Sequence, residues 1–312
     1  MQAIELISTE GMSHEEWLSW RDKGLGGSDA AVLCGLNRYK SPMELWLEKT
    51  GQQEPKEAGE AAYWGTIMET IIKAEFNRRT GLDVAPVQAI LQHQQYAFML
   101  ANLDGLVVDP IHGKGIFEAK TANVFLAPQF EQDIPEMYQA QVHHYLALTG
   151  LSHAYVAVLI GGNAFKYFHI RRNDEVINLL IQLEKNFWEN HVLANVPPEL
   201  DGTKASSELL KQLYPEGRPN THLELPEEAM SMIEEFEQAK DDEAEATERK
   251  EAMANKLKEM LGENEIGVVN GRSVAWKTVN SERFNSKSFK RDYPDLHEQY
   301  VSQSSYRRFT VK

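Results

Sequence analysis

The chain is poor in cysteine and has no long apolar run. Its 312 residues include a single cysteine, Cys34, which excludes a disulfide framework and a four-cysteine metal cluster. No apolar stretch is long enough to span a bilayer, and Met1 is not followed by a signal-peptide pattern. We therefore expect a cytoplasmic protein that does not work in a membrane.

Basic residues are also scarce, because 47 Asp and Glu against 32 Lys and Arg give a formal net charge of −15. This balance is unusual for a DNA-binding protein, since neutralised phosphates supply most nonspecific affinity. The charge is uneven, however: residues 222–265 hold 15 acidic and 5 basic residues, and residues 266–312 hold 4 and 9. Two interpretations stay open. Local basic channels could admit DNA past an acidic exterior, or the acidity could serve solubility alone.

Two polar clusters interrupt strand-like apolar sequence in the middle of the chain. Asp104 lies in the predicted strand 96–109, and Glu118 and Lys120 lie in the predicted strand 115–121, after a Pro- and Gly-rich connector typical of a β-hairpin. Residues two apart in a strand share a face, so Glu118 and Lys120 are expected side by side. Two carboxylates and an amine are the groups that metal-assisted phosphodiester hydrolysis needs, with Mg²⁺ as the preferred ion. An ordinary surface hairpin is the alternative.

Lys120 supplies the amine for this chemistry. A crowded, partly desolvated ammonium loses its proton more readily, so Lys120 is expected to orient or deprotonate the attacking water.

Residues 60–80 predict an amphipathic helix whose Glu69 faces inward with the apolar stripe. An inward acid needs a partner, which a nearby metal site or Lys73 at the rim would supply.

A glycine-rich loop precedes a short predicted helix over residues 28–34. Arg21, the pair Gly26-Gly27 and Ser28 offer a guanidinium, exposed amides and a hydroxyl, which together suit a phosphate group. The loop is not a Walker motif, since no Gly-Lys-Ser/Thr follows. A plain helix cap after a flexible loop is the alternative.

The predicted elements give an α/β fold class. Helices are predicted near residues 13–21, 28–34, 42–50, 60–80, 134–149 and 174–194, and strands near 83–92, 96–109, 115–121, 153–160 and 164–171. Helices that flank a mixed central sheet predict an α/β core. We divide the chain into a core (1–198), a linker or small helical excursion (199–225), a long helix (226–262) and a basic C-terminal module (263–312).

The long helix carries an apolar stripe. Its members have 3-4 spacing, and Glu243 and Lys250 interrupt the seam. The stripe predicts packing within the chain, pairing with another subunit, or both in turn. A small β-containing module follows, with Asn270-Gly271 as a type I′ turn and basic residues interleaved with aromatics. Its aromatics either stack on nucleic acid or form a small core.

Five motifs follow one another between roughly residues 10 and 195. They are Arg21 with Gly26-Gly27-Ser28-Asp29; Trp64-Gly65-Thr66-Ile67-Met68-Glu69; Asn102-Leu103-Asp104-Gly105; Phe117-Glu118-Ala119-Lys120; and Pro135-Glu136-Met137-Tyr138-Gln139-Ala140-Gln141-Val142-His143-His144-Tyr145. In this order they resemble the YqaJ-type viral recombinases, alkaline exonucleases similar to phage lambda exonuclease in the PD-(D/E)xK nuclease superfamily. The resemblance implies a restriction-endonuclease-like core.

The resemblance also implies catalytic roles, position by position. Asp104 and Glu118 match the metal-binding acids, and the Ala119 carbonyl matches a main-chain metal ligand. Lys120 matches the catalytic lysine, and Glu69 matches a helical acid near a second metal.

Further positions match groups around this centre. Gln141 matches a helical glutamine close to the site. Arg21 and Ser28 match a pocket for a terminal 5′-phosphate, and Asn102 stands where the family often has a serine in that pocket.

The implied activity is Mg²⁺-dependent 5′-to-3′ exonuclease digestion of double-stranded DNA, which leaves 3′ single-stranded overhangs for phage-type recombination. Mn²⁺ is expected to substitute for Mg²⁺. The implied partners are duplex DNA ends, a single-strand annealing protein and further copies of the chain in a ring such as a trimer, in a bacterial host of a phage or prophage. An endonuclease on the same core and a noncatalytic DNA-end-binding scaffold are the alternatives.

Overall fold

The chain folds into two compact units, Met1–Leu213 and Tyr214–Lys312. The computed structural model describes residues 3–53, 59–302 and 305–311. Within these ranges, none of the helices combines the length and apolar character that a bilayer crossing requires.

The first unit mixes short strands with helices. Its strands are β1 (Ala3–Ser8), β2 (Val84–Ala85), β3 (Ala89–His93), β4 (Leu100–Ala101), β5 (Gly105–Asp109), β6 (Gly113–Ala122), β7 (His153–Ile160) and β8 (Ala164–Arg171). Its α-helices are α1 (His14–Arg21), α2 (Gly27–Leu33), α3 (Pro42–Lys49), α4 (Glu60–Thr80), α5 (Glu136–Thr149), α6 (Asp174–Phe187) and α7 (Lys204–Leu213). A 3₁₀ helix spans Val124–Phe130, and a π-helical turn spans Trp188–Leu193.

The central sheet has five strands in the order β2-β5-β6-β7-β8. Strands β6 and β7 run parallel, and the other neighbours run antiparallel. This is the mixed sheet that the sequence predicts. Strands β1, β3 and β4 form a separate antiparallel sheet, to which β1 contributes an unpredicted strand.

Strand β6 supports a helical layer on each face of the sheet. Phe117 packs against Phe76 of α4, with ring centroids 5.0 Å apart, and both side chains are fully buried. Its neighbour Ile116 belongs to the core on the other face, together with Leu146 of α5. Each such side chain contributes about 1.5–3 kcal/mol through burial. Glu118, two residues after Ile116, therefore lies on the face covered by α5.

The predicted strand 96–109 is interrupted. Strand β4 belongs to the small sheet and β5 to the central sheet, so residues 102–104 cross from one sheet to the other. A run of apolar residues cannot reveal such a crossing, because it depends on which distant strands pair with each half. The crossing frees Asp104 from strand pairing.

The end of the first unit also differs from expectation. The predicted helix 174–194 is α-helical to Phe187 and then widens into the π-helical turn. Helix α7 lies within the predicted linker, where a small helical excursion is the alternative prediction, and its Ala205 and Leu209 are buried. The first unit therefore extends to Leu213.

The second unit contains the long helix α8 (Ala229–Leu261), the hairpin strands β9 (Ile266–Val269) and β10 (Arg272–Ala275), and the short helices α9 (Ser286–Asp292) and α10 (Pro294–Tyr300). Asn270 and Gly271 have φ angles of 48° and 77°, which confirms the type I′ turn. Among the described hydrophobic side chains of this unit, Leu261 alone is buried. The unit therefore has almost no core of its own.

Candidate active site

The crossing segment and β6 bring the predicted acids together. Asp104 Oδ2 accepts a hydrogen bond of 2.7 Å from the Ala119 N–H. A strand residue directs its N–H and its C=O to the same edge, so the Ala119 carbonyl also lies on the Asp104 side.

Glu118 and Lys120 meet on the shared face that the strand period predicts. Lys120 Nζ lies 2.7 Å from Glu118 Oε1 and 3.0 Å from Gln141 Oε1. Gln141 Nε2 donates to the same Glu118 oxygen at 2.8 Å and to the Tyr145 hydroxyl at 3.0 Å. The ammonium of Lys120 also lies 5.2 Å from the ring centroid of Tyr138. Helix α5 therefore fixes the orientation of both catalytic candidates of β6.

Burial disfavours the charge of all three acids, and Asp104 adds to this effect at Glu118 and Glu69. Burial raises the pKa of Glu118 to about 8, and the neighbouring Asp104 carboxyl adds to the effect. Burial followed by Asp104 raises the pKa of Glu69 to about 7. Burial also raises the pKa of Asp104 itself. Such a cluster is an expensive place for negative charge unless a cation compensates it.

Lys120 departs from its predicted protonation behaviour. Burial opposes its charged form, but the carboxylates of Glu118 and Asp104 outweigh burial and raise the pKa of Lys120. The prediction that crowding lowers this pKa is wrong for this arrangement, because the crowding groups are acids. Lys120 is therefore an ammonium that donates hydrogen bonds.

The donor set fits a divalent cation. Glu118 Oε2 is buried and has no hydrogen-bond partner among the described residues. Mg²⁺ prefers oxygen ligands and keeps several waters, so Asp104, Glu118 and the Ala119 carbonyl could hold it. In the described part of the chain, no three His, Cys, Asp or Glu side chains form a metal site by themselves. The carbonyl and water would thus complete the set, and the ligand role of Glu69 stays a prediction.

Glu69 reaches the site from the opposite layer. Helix α4 packs on the sheet face that carries Phe117, and Glu69 is half-buried on that helix. Its carboxyl interacts electrostatically with Asp104 and Lys73. Both partners that the sequence proposes for Glu69, the acid site and Lys73, are therefore near it.

One cavity joins the acids to the glycine loop. It has a volume of about 220 Å³ and is lined by Trp17, Arg21, Gly26, Gly27, Ser28, Leu100, Asn102, Asp104, Glu118, Gln141 and Tyr145. Arg21 Nη2 donates to Ser28 Oγ at 2.8 Å, so these two predicted phosphate ligands are in direct contact. The structure thus brings the predicted phosphate-binding residues and the two principal acids to the same cavity, with Lys120 behind Glu118.

Main-chain hydrogen bonds hold the glycine loop against the residues that precede the crossing segment. The Leu25 N–H donates to the Phe98 carbonyl at 2.6 Å, and the Leu100 N–H donates to the Leu25 carbonyl at 2.8 Å. A Cβ on Gly24 would lie 2.4 Å from the Phe98 carbonyl oxygen, so this approach requires glycine. The bonded segment continues directly into Asn102.

A buried ion pair, absent from the sequence prediction, supports the same loop. Asp29 Oδ2 accepts from the Gly26 N–H at 3.0 Å and lies 3.3 Å from Lys49 Nζ, which also donates to the Arg21 carbonyl at 3.0 Å. Burial alone would raise the pKa of Asp29, but Lys49 and Arg21 outweigh it and lower the pKa to about 2. Lys49 lies on α3, far along the chain from the loop, and its spacing gives no sign of this contact.

Two aromatic residues of the cavity can be identified from the sequence by their helical spacing. Trp17 lies one helical turn before Arg21, and its ring centroid is 5.1 Å from the guanidinium carbon. Tyr145 lies one turn after Gln141, and burial raises its pKa well above the ordinary value. The i, i+4 spacing places each aromatic beside a predicted site residue.

Replacing Gly27 by alanine is expected to destabilise the protein by about 1–3 kcal/mol, because overpacking forces a tight contact apart. The added Cβ would lie 2.5 Å from Tyr145 Cε1 and 2.9 Å from Gln141 Cγ. Urea unfolding of the two proteins measures the difference. Gly202→Ala is the matched control, because its Cβ meets nothing within 4 Å. Equal stability of the two variants would contradict the close packing of α2 on α5.

Comparison with solved structures identifies the fold. The chain resembles an alkaline exonuclease (LHK-Exo) from Laribacter hongkongensis, with a TM-score of 0.50 and 22% identity over 64% of this chain and 97% of that enzyme. The same enzyme in complex with dAMP gives a TM-score of 0.51 at the same identity and coverage. This likeness confirms the predicted α/β core of the PD-(D/E)xK type.

Comparison of sequences identifies the family. The model of the YqaJ-like viral recombinase domain matches residues 16–152. The uncharacterized protein YqaJ of Bacillus subtilis (strain 168) is 39% identical over 315 aligned residues, which cover 100% of this chain and 98% of that protein. With the five motifs in order, this end-to-end similarity shows that the chain belongs to the YqaJ-like viral recombinase family.

Proposed function

We propose that this chain is a Mg²⁺-dependent exonuclease that digests double-stranded DNA from 5′ ends and leaves 3′ single-stranded overhangs for recombination. The observation that carries the proposal is the single cavity in which Asp104 and Glu118 meet Arg21 and Ser28. Phosphate-binding groups beside a hydrolytic centre would select the end of a DNA strand as the substrate. Mn²⁺ is proposed as an alternative ion, because it takes the same oxygen ligands.

The acids and the lysine have separate roles in hydrolysis. Asp104, Glu118 and the Ala119 carbonyl would hold the cation, which when bound polarises the phosphate and activates a water molecule. Lys120 is kept charged by Glu118 and donates to Gln141. From that position its ammonium orients the attacking water and stabilises negative charge that develops on the phosphate oxygens. Gln141 holds Glu118 in one orientation through its own hydrogen bond.

Arg21, Ser28 and Asn102 would bind the terminal phosphate. A terminal phosphate carries more negative charge than an internal phosphodiester, so a guanidinium and two neutral donors favour it. Contact with the Trp17 ring and with Ser28 Oγ orients the guanidinium before DNA binds. The site therefore favours a 5′-phosphorylated end over the interior of a duplex.

The partners follow from the product. A 3′ overhang is the substrate of a single-strand annealing protein, so we propose such a protein as the partner in recombination. A ring of several copies around the duplex, such as a trimer, is proposed from the family resemblance. The description of the family as viral recombinases supports the recombination role.

Digestion of three DNA substrates tests the proposal. Linear duplex with 5′-phosphates, the same duplex without them and a covalently closed circle are incubated with Mg²⁺ and then with EDTA. Metal-dependent loss of the phosphorylated linear duplex, with the circle intact, is the expected result. Cutting of the circle would make the protein an endonuclease, and no cutting at all would favour a noncatalytic end-binding scaffold. Asp104→Asn serves as the inactive control.

Replacing Arg21 by alanine is expected to reduce the preference for 5′-phosphorylated ends by about 10–100-fold, because a hydrogen bond to a charged group contributes about 1.5–3 kcal/mol. The ratio of initial rates on phosphorylated and unphosphorylated duplex measures this preference. Arg171→Ala, at an exposed arginine of β8, is the matched control. An unchanged ratio in Arg21→Ala would remove this residue from the phosphate site.

A further inference from the structure

Helix α8 presents a heptad pattern on an exposed face, interrupted only by the charged residues Glu243 and Lys250. The a positions are Ala229, Phe236, Glu243, Lys250 and Leu257, and the d positions are Met232, Ala239, Ala246, Met253 and Met260. The large apolar members are exposed, with 71% of Met232 and 81% of Met260 accessible to solvent. Such a stripe on a helix of 33 residues is typical of a coiled-coil seam.

The described part of the second unit covers little of this face. Phe309 contacts Phe236, with ring centroids 5.5 Å apart, yet Phe236 remains 43% exposed. A long helix in water gains most of its stability from packing of its apolar face. A partner helix of similar length would bury this face along its whole length.

The charge of α8 changes sign along its length. Residues 229–245 carry seven acidic residues and one basic residue, whereas residues 246–261 carry three acidic and four basic residues. A second α8 in the opposite direction would lay the acidic half against the basic half. A parallel partner would lay like halves together, and its seam would place Glu243 against Glu243 and Lys250 against Lys250 at a positions. Buried like charges strongly disfavour that arrangement.

We propose that α8 forms an antiparallel coiled coil with α8 of a second copy of this chain. One symmetric register engages the whole seam. Its a–d layers are Ala229–Met260, Met232–Leu257, Phe236–Met253, Ala239–Lys250 and Glu243–Ala246, each residue paired with the stated residue of the second copy. In this register Glu243 and Lys250 lie in adjacent layers, where opposite charges attract.

The flanking g positions fit the same register. Glu235 faces Lys256 of the second copy, and Asp242 faces Arg249, so each g position meets an opposite charge. By symmetry the two pairs occur twice. All four side chains are exposed in the single chain, and Asp242 accepts a hydrogen bond of 2.9 Å from Gln238 Nε2 through one carboxylate oxygen. A parallel dimer retains one comparable contact, Glu235 with Lys240. The complementary charges thus select the antiparallel dimer independently of any nuclease activity.

Crosslinking of the full-length chain tests the direction of the helices. In a Cys34→Ala background, chains with Ala229→Cys and chains with Met260→Cys are tagged differently, mixed and treated with a short bismaleimide. An antiparallel dimer gives mainly crosslinks between the two kinds of chain. A parallel dimer would give crosslinks between identical chains only, because the two positions are then about 46 Å apart along the helix. That result, or no crosslink at all, would overturn the proposal.

Charge reversal tests the register. Asp242→Arg alone and Arg249→Asp alone are each expected to reduce the yield of mixed crosslinks severalfold, and the double variant is expected to restore it. Residues 242 and 249 are two turns apart within one helix, so restoration requires contact between chains. Leu257→Glu, in the seam, is expected to abolish the crosslink, whereas Asn255→Glu, on the opposite face, leaves it unchanged. No restoration, or equal yields for the two glutamate variants, would contradict this register.

Discussion

Replacing Lys120 by methionine is expected to lower the rate of DNA hydrolysis by about 10²–10⁴-fold, the range typical of a lost proton-transfer or charge-stabilising group. Methionine keeps much of the buried stem but lacks the ammonium that bonds Glu118 at 2.7 Å and Gln141 at 3.0 Å. Single-turnover cleavage of 5′-phosphorylated duplex with saturating enzyme isolates the chemical step. DNA binding, measured in EDTA, is expected to stay close to that of the unmodified protein.

The control for this prediction is Lys185→Met. Lys185 is exposed on α6 and makes only a 3.9 Å ion pair with Glu189. The same change of residue type therefore removes a charge without touching the cavity. A cleavage rate in Lys120→Met equal to that of this control would exclude Lys120 from the reaction.

Replacing Glu184 by leucine is expected to destabilise the first unit by about 3–5 kcal/mol, because it leaves the buried His144 without its acidic partner. His144 and Glu184 are both inaccessible to solvent, and Nδ1 of the histidine lies 2.8 Å from Oε1 of the glutamate. The other ring nitrogen donates to the Leu100 carbonyl at 2.9 Å. Urea unfolding at several pH values measures the loss.

The pH dependence distinguishes this pair from simple packing. Burial opposes the charged imidazole, but Glu184 outweighs it and raises the pKa of His144 above its ordinary value of 6.5. The pair's stabilisation is therefore fully present below the unfolded pKa and is lost as pH rises through the folded one. Glu184→Leu is expected to lack this dependence.

Two further variants control the measurement. Removal of both partners, His144→Leu with Glu184→Leu, is expected to cost less than the single change, because no charge is left buried. Glu189→Leu, at a half-exposed glutamate, should leave stability within about 0.5 kcal/mol. A Glu184→Leu variant as stable as Glu189→Leu would show that the pair does not support the fold.

Elements set by local sequence were predictable to the residue. Helix α4 and strands β7 and β8 span 60–80, 153–160 and 164–171, as their periodicity and turn signals indicate. Strand β1 and the break in the predicted strand 96–109 were not predictable, because they depend on pairing between distant segments. Local pattern specifies an element, whereas tertiary contacts decide which sheet it joins.

The same distinction between local sequence pattern and tertiary contacts applies to the candidate site. The contact between Glu118 and Lys120 follows from the strand period alone. The Asp29–Lys49 pair was missed, since it arises from packing of α3 under the loop. The sign of the Lys120 pKa shift was wrong because it depends on a balance between burial and two neighbouring acids. Residue type and spacing identify candidates, but only their neighbours determine their charge.

The main-chain bonds between Leu25 and the segment Phe98–Leu100 have a consequence for the products of digestion. They tie the loop that leads into α2, and so to Ser28, to the chain that continues into Asp104, which restrains the spacing between the two groups. In an enzyme that binds a DNA terminus at Ser28 and cleaves at Asp104, this spacing sets the distance between the terminus and the cleaved bond. Every cut of such an enzyme would fall at the same distance from the DNA end, and the released fragments would have one uniform length whatever the base sequence.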